Sequence, residues 1–96
     1  MINLYTWPTP NGRKISILLE ELQIPYKVIP INIEKDEQFS KEFSLIFPNN
    51  KIPAITDLET KTNIFESGAI MLYLANKYRK YLSDKSYWPI MEWFMF

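Results

Sequence analysis

Three short stretches carry side chains that can act together. Thr9-Pro10-Asn11-Gly12 sets a hydroxyl and an amide directly before a helical pattern. Asn50-Lys51-Ile52-Pro53-Ala54-Ile55 opens an apolar run with a proline. Phe65-Glu66-Ser67-Gly68-Ala69-Ile70 puts an acid, a hydroxyl and a glycine before a further helical pattern. Ser67, with Gly68 and Ala69, can offer a hydroxyl and free backbone N–H groups at a helix N-terminus, which is a ready anion site. Glu66 beside them supplies the negative group for an ammonium, so a carboxylate and an ammonium on one carbon would satisfy both. A plain N-cap fits Ser67 equally well. A thiolate set against Thr9 and Asn11 would gain from the helix dipole and from hydroxyl, amide and backbone donors; a simple capping turn suits the same residue types. Pro53 also fits a trans proline at the start of a strand, and Lys51 a solvated surface lysine. The chain's two glycines, Gly12 and Gly68, both stand at these helix starts, in keeping with close backbone approach there.

The residue inventory narrows the chemistry further. The 96 residues contain no Cys and no His. A disulfide framework, a thiolate zinc site, a Cys-x-x-Cys redox pair and Ser-His-Asp or Cys-His catalysis are therefore closed to these residues, and no metal is expected. If the chain takes part in thiol chemistry, the sulfur comes from a ligand or a partner. Lys plus Arg and Asp plus Glu are 11 each, with no basic tract, which argues against a nucleic-acid partner. The apolar runs are too short to span a bilayer, so no membrane is expected. Met1-Ile2-Asn3-Leu4 lacks the basic-then-apolar order of a signal peptide, which makes the cytoplasm the expected location.

The elements that must position these residues follow from periodicity. Ile2-Asn3-Leu4-Tyr5 alternates as a strand does, and Trp7 to Gly12 breaks it with two prolines and an Asn-Gly. Ile15, Leu18, Leu19 and Leu22 then fall at helical spacing, with Lys14, Glu20 and Glu21 on the wet side. Pro25 ends that helix. Tyr26 to Ile33 reads as a second strand; Pro30 inside it cannot donate to a ladder and makes it an edge. Glu34 to Glu37 reads as a charged turn, and a short helix is expected near Ser40–Leu45, with Phe39, Phe43 and Phe47 in the core. Ile52 to Thr56 and Thr62 to Phe65 read as a hairpin around a polar turn at Asp57–Lys61, followed by a helix from Gly68 to about Lys80 that Ser67 caps. In Trp88–Phe96 seven of nine residues are apolar, which looks like the first turns of a helix short of packing partners. A right-handed crossover joins the first two strands in parallel. The expected fold is α/β and thioredoxin-like, βαβ-α-ββα, with a four-stranded mixed sheet in the order 2-1-3-4.

On these three motifs, in this order and at this spacing, the chain resembles the N-terminal, glutathione-binding domain of the glutathione S-transferase superfamily. It looks most like the bacterial Nu class and the fungal Ure2-type proteins, from Ile2 to about Leu82. The resemblance implies a domain at 1–82, with 83–96 as linker and the opening of a second, all-helical domain. It implies a cis bond before Pro53 that turns the Ile52 N–H and C=O toward the cysteinyl unit of glutathione. It implies that Glu66 and Ser67 hold the γ-glutamyl end, that Thr9 and Asn11 hold the sulfur as the catalytic pair, and that Gln38 and Lys51 lie near the glycine carboxylate. The Tyr, Ser or Cys used by other classes is not evident in the Thr9 loop; Tyr5 is the nearest phenol, but it belongs to a strand. The implied activity is glutathione-dependent disulfide-bond reduction or glutathione transfer, with glutathione as co-substrate and a homodimer formed through this domain or its apolar tail. The alternatives are a non-enzymatic interaction module and an inactive truncated fragment.

Overall fold

The computed structural model describes residues 1–80 and 85–95. The expected domain boundary at 82–83, and Phe96, lie outside them. Four strands, β1 (Ile2–Thr6), β2 (Tyr26–Pro30), β3 (Ala54–Asp57) and β4 (Thr62–Phe65), form one sheet in the order β2-β1-β3-β4. β1 is parallel to β2 and antiparallel to β3, which is antiparallel to β4. This is the expected thioredoxin-like mixed sheet, with β2 at one edge. The helices are α1 (Pro10–Glu21), α2 (Lys41–Ile46), α3 (Ser67–Tyr78) and α4 (Tyr87–Met95).

The period-two alternation of the central strands divides the interior into two layers. Ile2, Leu4 and Ile55 point to one face and bury with Ile15, Leu19 and Leu22 of the α1 segment and Ile70 and Leu74 of α3. Ala54 points to the other face and joins Ile31, Phe43 and Phe47, with Tyr5, Ile29 and Ile52 packed against them. Tyr5, Phe43 and Phe47 form a ring cluster with centroids 5.2 to 5.9 Å apart. Each buried Leu or Ile stabilises the fold by about 1.5–3 kcal/mol.

Several local expectations are corrected. β2 stops at Pro30 rather than Ile33: Ile31 N–H donates to the Thr6 carbonyl at 3.0 Å, and the chain then turns into two 3-10 turns, Ile33–Lys35 and Glu37–Phe39. Asn32 caps the first of them, its Oδ1 accepting from Glu34 N–H at 3.0 Å. Phe39 is 62% exposed rather than core, because Ser40 starts α2 after it and the four-residue spacing no longer runs along one helix. β3 begins at Ala54, which leaves Ile52 and Pro53 in the approach to the strand. Ser67 is the first residue of α3, and Glu66 takes the N-cap position. The tail does form a helix, with Met91 buried and Trp88 and Trp93 72% and 76% exposed.

The expected polar turn hides one anchor. Asp57 is the last residue of β3, points to the α1–α3 layer and is fully buried. Its Oδ2 accepts from Lys77 Nζ and Tyr73 Oη, each at 2.6 Å, and its Oδ1 accepts from Glu59 N–H at 3.0 Å. Burial alone would push this carboxyl up. The donors from Lys77, Tyr73 and Glu59 outweigh it and hold the group at about 2, while the same contact with Asp57 raises Lys77 above its ordinary value. A carboxyl depressed by folding stabilises the native state fully above its unfolded value near 3.8, because the unfolded chain takes up that proton first as pH falls. The contribution, about 2 kcal/mol, is expected to disappear between roughly pH 4 and pH 2. Denaturant midpoints across that window measure it, and Asp57→Asn flattens this part of the pH dependence.

Candidate functional site

The three motifs meet at one end of the sheet. α1 starts there because Thr9 has extended backbone and its Oγ1 accepts from Gly12 N–H at 3.0 Å, while Pro10 occupies the first helical position. Among the described residues the Thr9 hydroxyl donates to no acceptor, and a hydroxyl that accepts one bond can still donate another. Gly12 is required by close approach: a Cβ there would overlap Thr6 Oγ1 and come within 2.7 Å of the Trp7 carbonyl oxygen. Asn11, exposed in the first turn of α1, completes this side.

Ile52–Pro53 is a cis bond. Ile52 lies before the first ladder pair of β3, and neither its N–H nor its C=O has a hydrogen-bond partner among the described residues. Both backbone polar groups of one residue are thus available to a ligand with the pattern of an extended peptide.

Glu66 lies across from them with φ 74° and ψ 121°, outside the left-handed well that non-glycine residues tolerate best. Such backbone costs on the order of 1–3 kcal/mol and is concentrated at functional sites. Its carboxylate makes no capping bond. The first helical bond of α3 runs from Ile70 N–H to the Glu66 carbonyl at 2.9 Å, so the N–H groups of Ser67, Gly68 and Ala69 have no intrahelical acceptor. An anion gains there from three donors and the helix dipole, with a carboxylate one residue away for a cation.

A cavity of about 140 Å³ is lined by Asn11, Asn49, Lys51, Ile52, Pro53, Glu66 and Ser67. A second, of about 250 Å³, is lined by Thr9, Asn11, Ile33, Gln38, Asn50, Lys51 and Ile52. Asn11, Lys51 and Ile52 belong to both walls. All eight residues singled out in the sequence, Thr9, Asn11, Gln38, Lys51, Ile52, Pro53, Glu66 and Ser67, therefore line this pair of cavities. Asn49, Asn50 and Ile33 line the walls as well, although none of them was singled out for a role from the sequence. The signal for the Asn pair was present: two consecutive Asn residues between Pro48 and Lys51 suit a left-handed turn, and Asn50 has φ 55°. Tyr5 packs in the Phe43–Phe47 cluster and lines neither cavity.

The fold thus sets a pair of connected walls, with the unpaired backbone groups of Ile52 among them, against two helix N-termini. Residues 1–76 match the family described as glutathione S-transferase, N-terminal domain, and the chain belongs to that family. It is 48% identical over 91 residues to the disulfide-bond oxidoreductase YfcG of Escherichia coli (strain K12), a match covering 90% of this chain and 42% of that protein. It is 44% identical over 80 residues to the protein URE2 of Candida maltosa, covering 82% of this chain and 24% of that one. A glutathione transferase of Pseudomonas putida, solved with one glutathione disulfide bound per subunit, superposes with a TM-score of 0.90 at 42% identity over 99% of this chain and 44% of that one. The chain thus spans less than half the length of these relatives.

The positive φ at Glu66 gives a direct test of whether the site carries strain. Glu66→Gly is expected to raise folding stability by about 1 kcal/mol, since glycine adopts this backbone without a Cβ penalty. Urea denaturation checks it; an unchanged or lower midpoint counts against a strained site.

Proposed function

We propose that this chain is a glutathione-binding domain and that the complete protein uses glutathione for disulfide-bond reduction or for transfer to an electrophile. One observation carries the reading: Ile52, whose N–H and C=O have no partner among the described residues, lines both cavities, one shared with Glu66 and Ser67 and the other with Gln38. Glutathione has a γ-linked amino-acid end, a central amide pair and a far carboxylate in that order. With its middle residue paired to Ile52, its thiol is directed toward Thr9 and Asn11. The Thr9 hydroxyl, the Asn11 amide and the α1 dipole favour the thiolate there and lower the thiol's pKa.

These 96 residues contain no cysteine, so within this domain no protein thiol joins the exchange and both electrons of a reduction come from glutathione. One glutathione thiolate attacks a disulfide sulfur; a mixed disulfide forms and the leaving thiolate takes a proton. A second glutathione thiolate attacks the glutathione sulfur of that mixed disulfide, releasing the second substrate thiol and oxidised glutathione. The likeness to a named disulfide-bond oxidoreductase and to a transferase with glutathione disulfide bound supports this chemistry over transfer alone. Reduction by glutathione fits the cytoplasm, where thiols are kept reduced.

We assign residues 83–96 to a linker and the opening of a helical domain. The exposed Trp88, Trp93 and Met95 of α4 support this, as does the greater length of the relatives. The same apolar face favours a second reading, an interaction module that docks a copy of itself or another protein.

Binding of the 96-residue chain to immobilised glutathione is the test of the site. Glu66→Ala and Ser67→Ala are each expected to weaken binding by about tenfold or more, as loss of a charge-assisted hydrogen bond implies. Retention of both variants at wild-type strength rejects their assignment. For the homodimer, light scattering is expected to give twice the monomer mass at micromolar concentration, and a clean monomer rules out association through this domain and tail.

A further inference from the structure

Asn50 lines the 250 Å³ cavity, and its side chain also ties two of the site's walls together. Its Nδ2 donates to the Gln38 carbonyl oxygen at 3.0 Å and to Ser44 Oγ at 2.6 Å. The first bond reaches the 3-10 turn Glu37–Phe39; the second reaches α2. Lys51 and Ile52 follow Asn50 directly, so one side chain links the peptide-binding strand approach to the segment that carries Gln38.

The turn's other hydrogen bonds are local: Asn32 N–H donates to Glu37 Oε1 at 2.7 Å, Glu37 N–H to the Asn32 carbonyl at 3.1 Å and Ser40 N–H to the Glu37 carbonyl at 3.0 Å, and none of them reaches the Lys51–Ile52 side of the site. Glu37 and Phe39, on either side of Gln38, are exposed. The Gln38 side chain makes no hydrogen bond to the described residues, and its Oε1 is buried without a partner. The position of this amide in the wall of the 250 Å³ cavity is therefore set by its main chain, and the main-chain carbonyl is the atom Asn50 grips. Asn50 also adopts φ 55° and donates its own N–H to the Phe47 carbonyl at 3.1 Å, which fixes the direction of its side chain. Asparagine is among the few residues other than glycine that accept this backbone readily and can also donate two bonds from the side chain.

We infer that Asn50 is a positioning residue: a strap that holds Gln38 at the end of the site remote from Glu66 and Ser67, so that the site prefers a ligand long enough to reach it. The inference rests on the reading of the site as a glutathione pocket. In that reading glutathione reaches the Gln38 end with its terminal glycine, and γ-glutamylcysteine, which lacks that residue, does not. A pre-ordered wall spares the ligand the cost of ordering it on binding.

Calorimetric titration of both thiols against the wild-type chain and the variants Asn50→Gly, Ser44→Ala, Gln38→Ala and Asn50→Gly/Gln38→Ala tests this. Glycine keeps the φ 55° turn and removes only the strap. Asn50→Gly is expected to weaken glutathione about tenfold, the equivalent of about 1.4 kcal/mol, and to change γ-glutamylcysteine by no more than about twofold. Ser44→Ala, which removes one of the two acceptors, shifts the same ratio by a smaller factor and gives the answer independently of how well the glycine variant folds. Gln38→Ala adds little to Asn50→Gly, because the two act through one amide. Equal losses for both thiols in Asn50→Gly and Ser44→Ala, or full additivity of Asn50→Gly with Gln38→Ala, overturn the strap while leaving the glutathione reading intact. A wild-type chain that binds neither thiol overturns both.

Discussion

The antiparallel pairing of β1 with β3, and of β3 with β4, puts Tyr5, Ala54 and Phe65 in one row across the sheet. In an antiparallel ladder the end of one strand lies beside the start of its neighbour. The loop leaving β1, the approach to β3 and the exit from β4 must therefore emerge at the same edge of the sheet. Those three segments are Thr9–Gly12, Lys51–Pro53 and Glu66–Ser67. A slip of one residue between β1 and β3 would put Ile55 on the opposite face from Ile2 and Leu4, and a slip between β3 and β4 would do the same to Ile64, so the hydrophobic pattern that stabilises the sheet also sets the alignment of the site. The two helix N-termini arrive in the same place for the same reason, since α1 follows β1 and α3 follows β4.

β3 is short, and both of its ends are committed. Ala54 begins it at the site, and Asp57 ends it in the interior against Lys77 and Tyr73 of α3. α3 opens with Ser67 at the site and brings Lys77 back to Asp57 near its last turn. Strand and helix are thus joined at the ligand end through Glu66 and at the far end through a buried charge-assisted cluster. Removing one partner of such a cluster strands a buried charge, which costs more than the intact pair contributes. Ile70 and Leu74 are fully buried between these two ends, so α3 is held to the sheet along its length.

α4 shows the opposite situation. Met91 is buried, and Ile90 and Phe94 face a small apolar gap of about 90 Å³ with Leu18, Met71, Leu72 and Ala75. Trp88, Trp93 and Met95 stand on its outer side. One face of this helix is satisfied by α1 and α3, and the other presents aromatic surface of the kind that interfaces use.

The amino-acid sequence by itself determined the element order, the edge position of β2 through Pro30, the burial of Ile15 and Leu19 on α1, and Thr9, Asn11, Glu66 and Ser67 as candidates at helix starts; Gln38, Lys51, Ile52 and Pro53 entered through the family resemblance. These are local properties: a proline lacks a donor, apolar spacing selects a helix face, and Ser, Thr, Asn and Gly mark helix starts. Resemblance supplied the further step of reading the three motifs as one pocket. Only the tertiary structure decided which residues serve as anchors. Asp57 read as a turn residue because nothing near it in sequence differs from a polar loop; its partners lie 16 and 20 residues away and meet it only when α3 folds back on β3. Phe39 left the core because the chain turned before α2 could carry it inward. Asn50 gained its contacts to Gln38 and Ser44 because a left-handed turn aimed its amide at segments 12 and 6 residues back along the chain. Spacing along the chain reports which face of an element is wet. Which distant side chain meets it is settled by packing, and that is where the site's supports are found.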